Sequence, residues 1–201
     1  MNKKFSSRAI AATAMLGGCA AVLMFMSFPM PFLIPGFIKM DFSELPALIA
    51  SFALGPWWGV AVCLIKNLIN VTMTTTGGVG ELANFLMGVA FVLPAGYIYR
   101  FKRDRAGALW GSIVGAVASA LLGFPINYFI TYPFYAATMI PMDTIIGMYN
   151  ALLGFVDTLE ECLWIFNVPF TLLKGAIVTV LTFLVYKPMS GLIKGKKRGR
   201  G

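Results

Sequence analysis

Thirteen of the sixteen lysines and arginines in this 201-residue chain are confined to three short clusters. Lys3, Lys4 and Arg8 form the first; Arg100, Lys102, Arg103 and Arg105 the second; Lys187, Lys194, Lys196, Lys197, Arg198 and Arg200 the third. Long apolar runs separate them. With 59% hydrophobic residues, 12% charged residues and a mean hydropathy of +0.81, the chain has too little charge to clothe a soluble domain. It reads as an integral membrane protein. The runs are too long and too rich in glycine for alternating barrel strands, which leaves a helical bundle.

Positive charge stays on the cytoplasmic side of a membrane, so all three clusters should face the same way. An even number of crossings then separates each pair. Of the eight acidic residues only Asp104 lies in a cluster; Asp41, Glu44, Glu81, Asp143, Asp157, Glu160 and Glu161 fall on the segments assigned to the outer side. Juxtamembrane placement explains the basic tail without a nucleic-acid partner. The apolar run after Lys3 and Lys4 mimics a signal peptide, but its length matches a full span and it reads as a retained first helix.

A span needs roughly 20 apolar residues at about 1.5 Å each. Six such helices are expected, at about 7–28, 43–54, 57–74, 81–99, 106–132 and 163–186. The expected fold is therefore an all-α integral membrane protein, a six-transmembrane-helix bundle with N and C termini cytoplasmic. Pro29, Pro31 and Pro35 cannot continue the first helix and predict an ordered apolar loop at the outer face. Residues 139–161 become an outer connection, in part helical. Residues 1–201 form one domain, with an outer loop at about 29–42 and a basic cytoplasmic tail at about 187–201.

Polar groups inside such a bundle are costly, which makes them functional candidates by default. Glu81 and Asn84 stand at the entry to the fourth helix, behind Gly77, Gly78 and Gly80. Asn84 lies 16 residues before Arg100, roughly 24 Å above the inner surface. Lys174, 13 residues before Lys187, lies roughly 20 Å up, and Asn127, 22 residues beyond Arg105, roughly 33 Å up. With Lys39 and Asp41 in the outer loop, polar groups from four segments converge on the outer half. A pocket open to the outside accounts for them. Glu81 could instead complement the helix dipole and Asn84 bridge helices. Lys174 could be held by an ion pair with Glu81 or Asp41. Lys66, with Asn67 and Asn70, could line the pocket or satisfy neighbouring helices.

Other chemistry is excluded. There is no histidine, so Ser-His and Cys-His nucleophiles are absent. Cys19, Cys63 and Cys162 stand singly in apolar surroundings and predict neither a redox pair nor a metal site. No phosphate loop of the G-x-x-x-x-G-K-[ST] type occurs, so the chain carries no standard ATPase of its own. Small residues at four-residue steps (Ala14 and Gly18, Gly17 and Ala21, then Gly111, Gly115, Ser119 and Gly123) mark faces for close helix approach, within the bundle or to a partner.

The segments Lys39-Met40-Asp41-Phe42-Ser43-Glu44-Leu45-Pro46-Ala47, Phe52-Ala53-Leu54-Gly55-Pro56, Lys66-Asn67-Leu68, Gly77 through Phe85 and Pro94-Ala95-Gly96 resemble the riboflavin-specific substrate-binding (S) component of energy-coupling-factor (ECF) vitamin transporters. The resemblance implies a non-enzymatic, multi-pass subunit of the bacterial cell membrane that captures riboflavin, its transported ligand rather than a cofactor, from outside. It also implies a membrane coupling subunit and two cytoplasmic ATPases as partners. Lys39, Asp41, Glu81, Asn84, Asn127 and Lys174 then look like pocket residues and residues 29–36 like a lid. Ala14/Gly18 or Gly17/Ala21 look like the face for the coupling subunit. An S component for another vitamin, such as thiamine or biotin, is the alternative, and Gly77–Phe85 argues against it.

Overall fold

The computed structural model describes residues 6–194, with side chains described through 185. Lys3 and Lys4 of the first basic cluster, and the side chains of the basic tail at 187–201, lie outside that description. Helix α1 spans Ser7–Phe25, with the Ser6 hydroxyl accepting from the backbone N–H of Arg8. It stops three residues before the expected Phe28. Pro29 disfavours helical backbone at the residue before it, and Phe28–Pro29 instead forms a short strand, β1. This pairs antiparallel with β2, Lys39–Met40, with Phe28 opposite Met40. The proline-rich loop is thus the tip of a closed hairpin, its turns fixed by bonds such as Ile34 N–H to the Met30 carbonyl.

Helix α2 (Glu44–Ala53) ends at Gly55, whose φ of 127° suits glycine, and Pro56 opens α3 (Pro56–Val71). Gly77 and Gly78, at φ 62° and 87°, make the turn into α4 (Val79–Phe101). Asp104 caps α5 (Arg105–Ile126) by accepting from the Gly107 N–H at 2.6 Å. The fifth helix was expected to end near Tyr132. It runs on through a π-helical turn, Asn127–Thr131, into α6, Tyr132–Thr138. The connection after α6 holds α7 (Met142–Asn150), which buries Ile145 and Tyr149.

The last helix also starts earlier than expected. Thr158 and Glu161 form a reciprocal capping box that opens α8, Leu159–Cys162. A second π-helical turn, Leu163–Asn167, leads into α9, Val168–Lys194. Each π turn is followed two residues on by a proline, Pro133 or Pro169, and each proline lacks the N–H that a regular helix requires. The widened turn takes up the missing bond and the ring clash.

Four helical stretches among the described residues are long and apolar enough to cross a membrane: Ser7–Phe25, Val79–Phe101, Arg105–Thr138 and Leu159–Val185. Helices α2 and α3, at 10 and 16 residues, are shorter. Helix α2 lies within the bundle, with Ala47, Leu48, Ile49 and Ala50 wholly buried.

The small-residue face of α5 is used against α4. A Cβ on Gly111 would lie 2.6 Å from the Ala95 carbonyl oxygen, one on Gly123 would lie 2.9 Å from Met87 Cε, and Ser119 donates to the Met87 carbonyl at 2.9 Å. On α1 the two candidate partner faces separate. Gly17 and Ala21 are buried, and a Cβ on Gly17 would lie 2.6 Å from Ile65 of α3. Of the two faces, that of Gly17 and Ala21 is packed within the bundle. Ala14 is exposed, and a Cβ on Gly18 would meet nothing within 4 Å. Gly111→Val is expected to cost about 1–3 kcal/mol through overpacking against α4, seen as a lower midpoint in thermal unfolding of the detergent-solubilised protein. Gly18→Val should leave that midpoint unchanged.

Candidate functional site

A cavity of about 290 Å³ lies beneath the β1–β2 hairpin, between α4, α5, α6 and α9. Its wall includes all six residues singled out by sequence: Lys39, Asp41, Glu81, Asn84, Asn127 and Lys174. The hairpin supplies Ile34, Phe37 and Ile38 as a roof. Phe37 meets the rings of Tyr132, Tyr135 and Tyr149 edge-on, at centroid distances of 6.1 to 6.4 Å. That aromatic seam fastens the hairpin to α6 and α7.

Asp41 follows β2 directly and is buried. Its Oδ2 accepts from Lys174 Nζ at 2.7 Å, joining the hairpin's end to the last helix. Of the two partners open to Lys174 from sequence, the structure selects Asp41. Its other oxygen, Oδ1, accepts from the Ser43 N–H at 2.9 Å and from the Ser43 hydroxyl. Burial opposes ionisation of Asp41, but the charges of Lys174 and Lys66 outweigh it and hold the carboxyl below the usual carboxylate range.

Glu81 sits at the start of α4, where the dipole favours negative charge. Thr74 and Thr76, from the loop before the helix, both donate to its Oε2, at 2.9 and 2.8 Å. Its Oε1 has no hydrogen bond among the described residues, and the group forms no ion pair there. One turn on, Asn84 Oδ1 is buried and has no hydrogen-bond partner. A buried amide oxygen left unpaired costs about 1–3 kcal/mol. Asn127 also lines the cavity and makes no side-chain hydrogen bond among the described residues. Lys39 is exposed at the rim.

Several wall residues carried no assignment from sequence. Asn167 accepts from the Tyr149 hydroxyl at 2.7 Å and donates to the Tyr132 hydroxyl at 2.8 Å, and the two tyrosines bond each other. Asn167 and Tyr132 both face the cavity, as do Glu44, Thr76, Phe91, Tyr135 and Phe170. A usable signal existed for Asn167. Like Asn127 it is an asparagine in an apolar run close to a proline. Lys66 does not line the cavity: wholly buried, it bonds Glu44 Oε1 and Ser43 Oγ, each at 2.6 Å. Asn67 donates to the Cys63 carbonyl, and Asn70 reaches the wall.

The arrangement is a polar and aromatic cavity within a membrane bundle. It offers aromatic walls, amides, hydroxyls and carboxylates at fixed places. Residues 8–186 match the family described as the ECF transporter, substrate-specific component. The riboflavin transporter RibU of Staphylococcus aureus is 33% identical over 181 residues, covering 90% of this chain and 89% of that protein. The riboflavin transporter FmnP of Bacillus subtilis is 30% identical over 177 residues, covering 86% and 87%. The solved structure of an S component of a bacterial ECF transporter aligns with a TM-score of 0.72 at 31% identity, over 92% of this chain and 97% of that one. This chain belongs to the substrate-specific components of ECF transporters, a family of multi-pass membrane proteins.

Breaking the hairpin's tie should be costly in one direction only. Lys174→Met leaves Asp41 buried without its cation and is expected to lose about 3–5 kcal/mol, whereas Lys174→Met with Asp41→Asn should recover most of it. Thermal unfolding of the solubilised protein checks both. Because the folded-state value of Asp41 lies below its unfolded one, the pair's contribution is complete above about pH 4. It fades as pH falls towards the folded-state value.

Proposed function

We propose that this chain is the riboflavin-binding subunit of an ECF-type importer, capturing the vitamin from the outer side of the cell membrane. The observation that carries the reading is the buried, unpartnered Asn84 Oδ1 beside the uncommitted Glu81 Oε1 in a cavity walled by aromatic rings. Riboflavin presents N–H and O–H donors on a flat ring system and a neutral polyhydroxyl tail. Apolar walls with a few placed polar groups are the expected complement. The naming of its relatives as riboflavin transporters supports the same reading.

The charges of the wall agree with a neutral ligand. Lys39 and Lys174, with Lys66 behind them, balance Asp41, Glu44 and Glu81, and among the described residues no arginine lines the wall to clasp a phosphate. In this reading Lys39, Asp41, Glu81, Asn84, Asn127 and Lys174 contact the vitamin and the hairpin is the lid. The six helices α1 to α5 and α9 cross the bilayer, both termini are cytoplasmic, and residues 1–201 form a single domain. Transport energy comes from two partner ATPases through a membrane coupling subunit docked on the Ala14 and Gly18 face.

Titrating detergent-purified protein with riboflavin should quench flavin fluorescence stoichiometrically. Asn84→Leu should weaken binding by about tenfold to a hundredfold, the range of one lost buried hydrogen bond, without lowering the unfolding midpoint of the apo protein. Well-folded protein that binds thiamine or biotin and leaves flavin fluorescence untouched would move the specificity to another vitamin.

A further inference from the structure

Lys66 lies on α3, wholly buried and outside the cavity wall, yet it stands at the head of a line of polar groups that ends there. Its ammonium bonds Ser43 Oγ and Glu44 Oε1. The Ser43 hydroxyl and N–H both turn to Asp41 Oδ1, and Asp41 Oδ2 takes Lys174. Three members of the line, Asp41, Glu44 and Lys174, are wall residues. Glu44 is tightly enclosed: Cys63 Sγ lies 3.7 Å from its Oε2, and a Cβ on Gly88 of α4 would lie 3.0 Å from the same oxygen.

Stability alone does not account for an ammonium in that position. A buried ion pair is commonly no better for folding than an apolar pair of the same volume. The cavity supplies the missing reason. Asp41 and Glu44 bring two negative charges to one side of it, and Lys174 is committed to Asp41. Without Lys66 the Glu44 carboxylate would be unbalanced and would compete for Lys174 through a medium that screens poorly. With Lys66 present, the cluster of Asp41, Glu44, Lys66 and Lys174 is neutral.

We infer that Lys66 is a specificity-determining positioning residue, which acts through Glu44, Ser43 and Asp41 to keep the pocket wall electrically neutral and so favours an uncharged flavin over a phosphorylated one. This deepens the riboflavin reading and rests on it. The mechanism makes opposite predictions for the two ends of the ion pair. Lys66→Met leaves the wall one charge more negative, so riboflavin binding should weaken and phosphorylated flavin should weaken further. Glu44→Gln leaves it one charge more positive, so the preference should shift towards the phosphorylated ligand. Removing both charges together should restore neutrality.

The experiment is a fluorescence titration of the full chain in detergent with riboflavin and riboflavin phosphate, on the unsubstituted protein, Lys66→Met, Glu44→Gln and the double variant. Lys66→Met is expected to weaken riboflavin binding by about tenfold, a size usual for network residues that do not touch the ligand. The double variant is expected to return both the affinity and the riboflavin-to-phosphate ratio to near the starting values. A double variant as weak as Lys66→Met, or a ratio unmoved in both single variants, would overturn the inference. Should Lys66→Met not fold, the ratio in Glu44→Gln decides: a shift towards the phosphorylated ligand supports the inference and no shift overturns it. Absence of riboflavin binding by the unsubstituted protein would overturn the functional reading and this inference together. Normal binding there, with the variants unchanged, overturns the inference alone.

Discussion

The ion pair between Asp41 and Lys174 joins residues 133 positions apart, and the binding end of the molecule is organised around it. Asp41 terminates the hairpin that roofs the cavity, and Lys174 projects from the middle of the last membrane-spanning helix. Both charges are largely shielded from water, with side-chain exposures of 15% for Lys174 and 6% for Asp41, so each depends on the other. The pair holds the roof's end against α9, while the Phe37 ring holds its tip against α6 and α7. Between those two fastenings lies the cavity.

The same lack of water explains the shape of the helices. Backbone groups freed by a proline must find partners nearby or remain unpaired in an apolar medium. At Pro133 and Pro169 the chain answers with a π-helical turn, and both turns put an asparagine on the cavity wall. One asparagine, Asn167, is spent on ordering Tyr132 and Tyr149. The other, Asn127, makes no side-chain hydrogen bond among the described residues. The glycine face of α5 follows a related rule, admitting the α4 backbone so closely that Ser119 can donate to a main-chain carbonyl.

Lys39, Asp41, Glu81, Asn84, Asn127 and Lys174 were all readable as a set, because each is a polar group in or beside an apolar run. The structure brings all six to one cavity wall. Glu44 and Lys66 were visible as charges, but their pairing was not, since it depends on how α2 packs against α3. Tyr132 and Tyr149 carried no assignment until the fold set their hydroxyls together. The two faces of α1 carried the same small-residue spacing. Only the position of Ile65 separates the one packed inside from the one left open.

By itself, the sequence determined that the chain crosses a membrane as helices, where charge is permitted, and which few polar residues needed a reason. Those conclusions follow from the cost of moving charge and unpaired backbone into hydrocarbon, a cost that depends on composition and order alone. The tertiary structure decided the partners: Asp41 rather than Glu81 for Lys174, Glu44 for Lys66, and an unpartnered oxygen on Asn84. Pairing is set by distances of a few ångströms between segments far apart in the chain. Helix periodicity says which face a residue shares, but not which neighbour that face will meet.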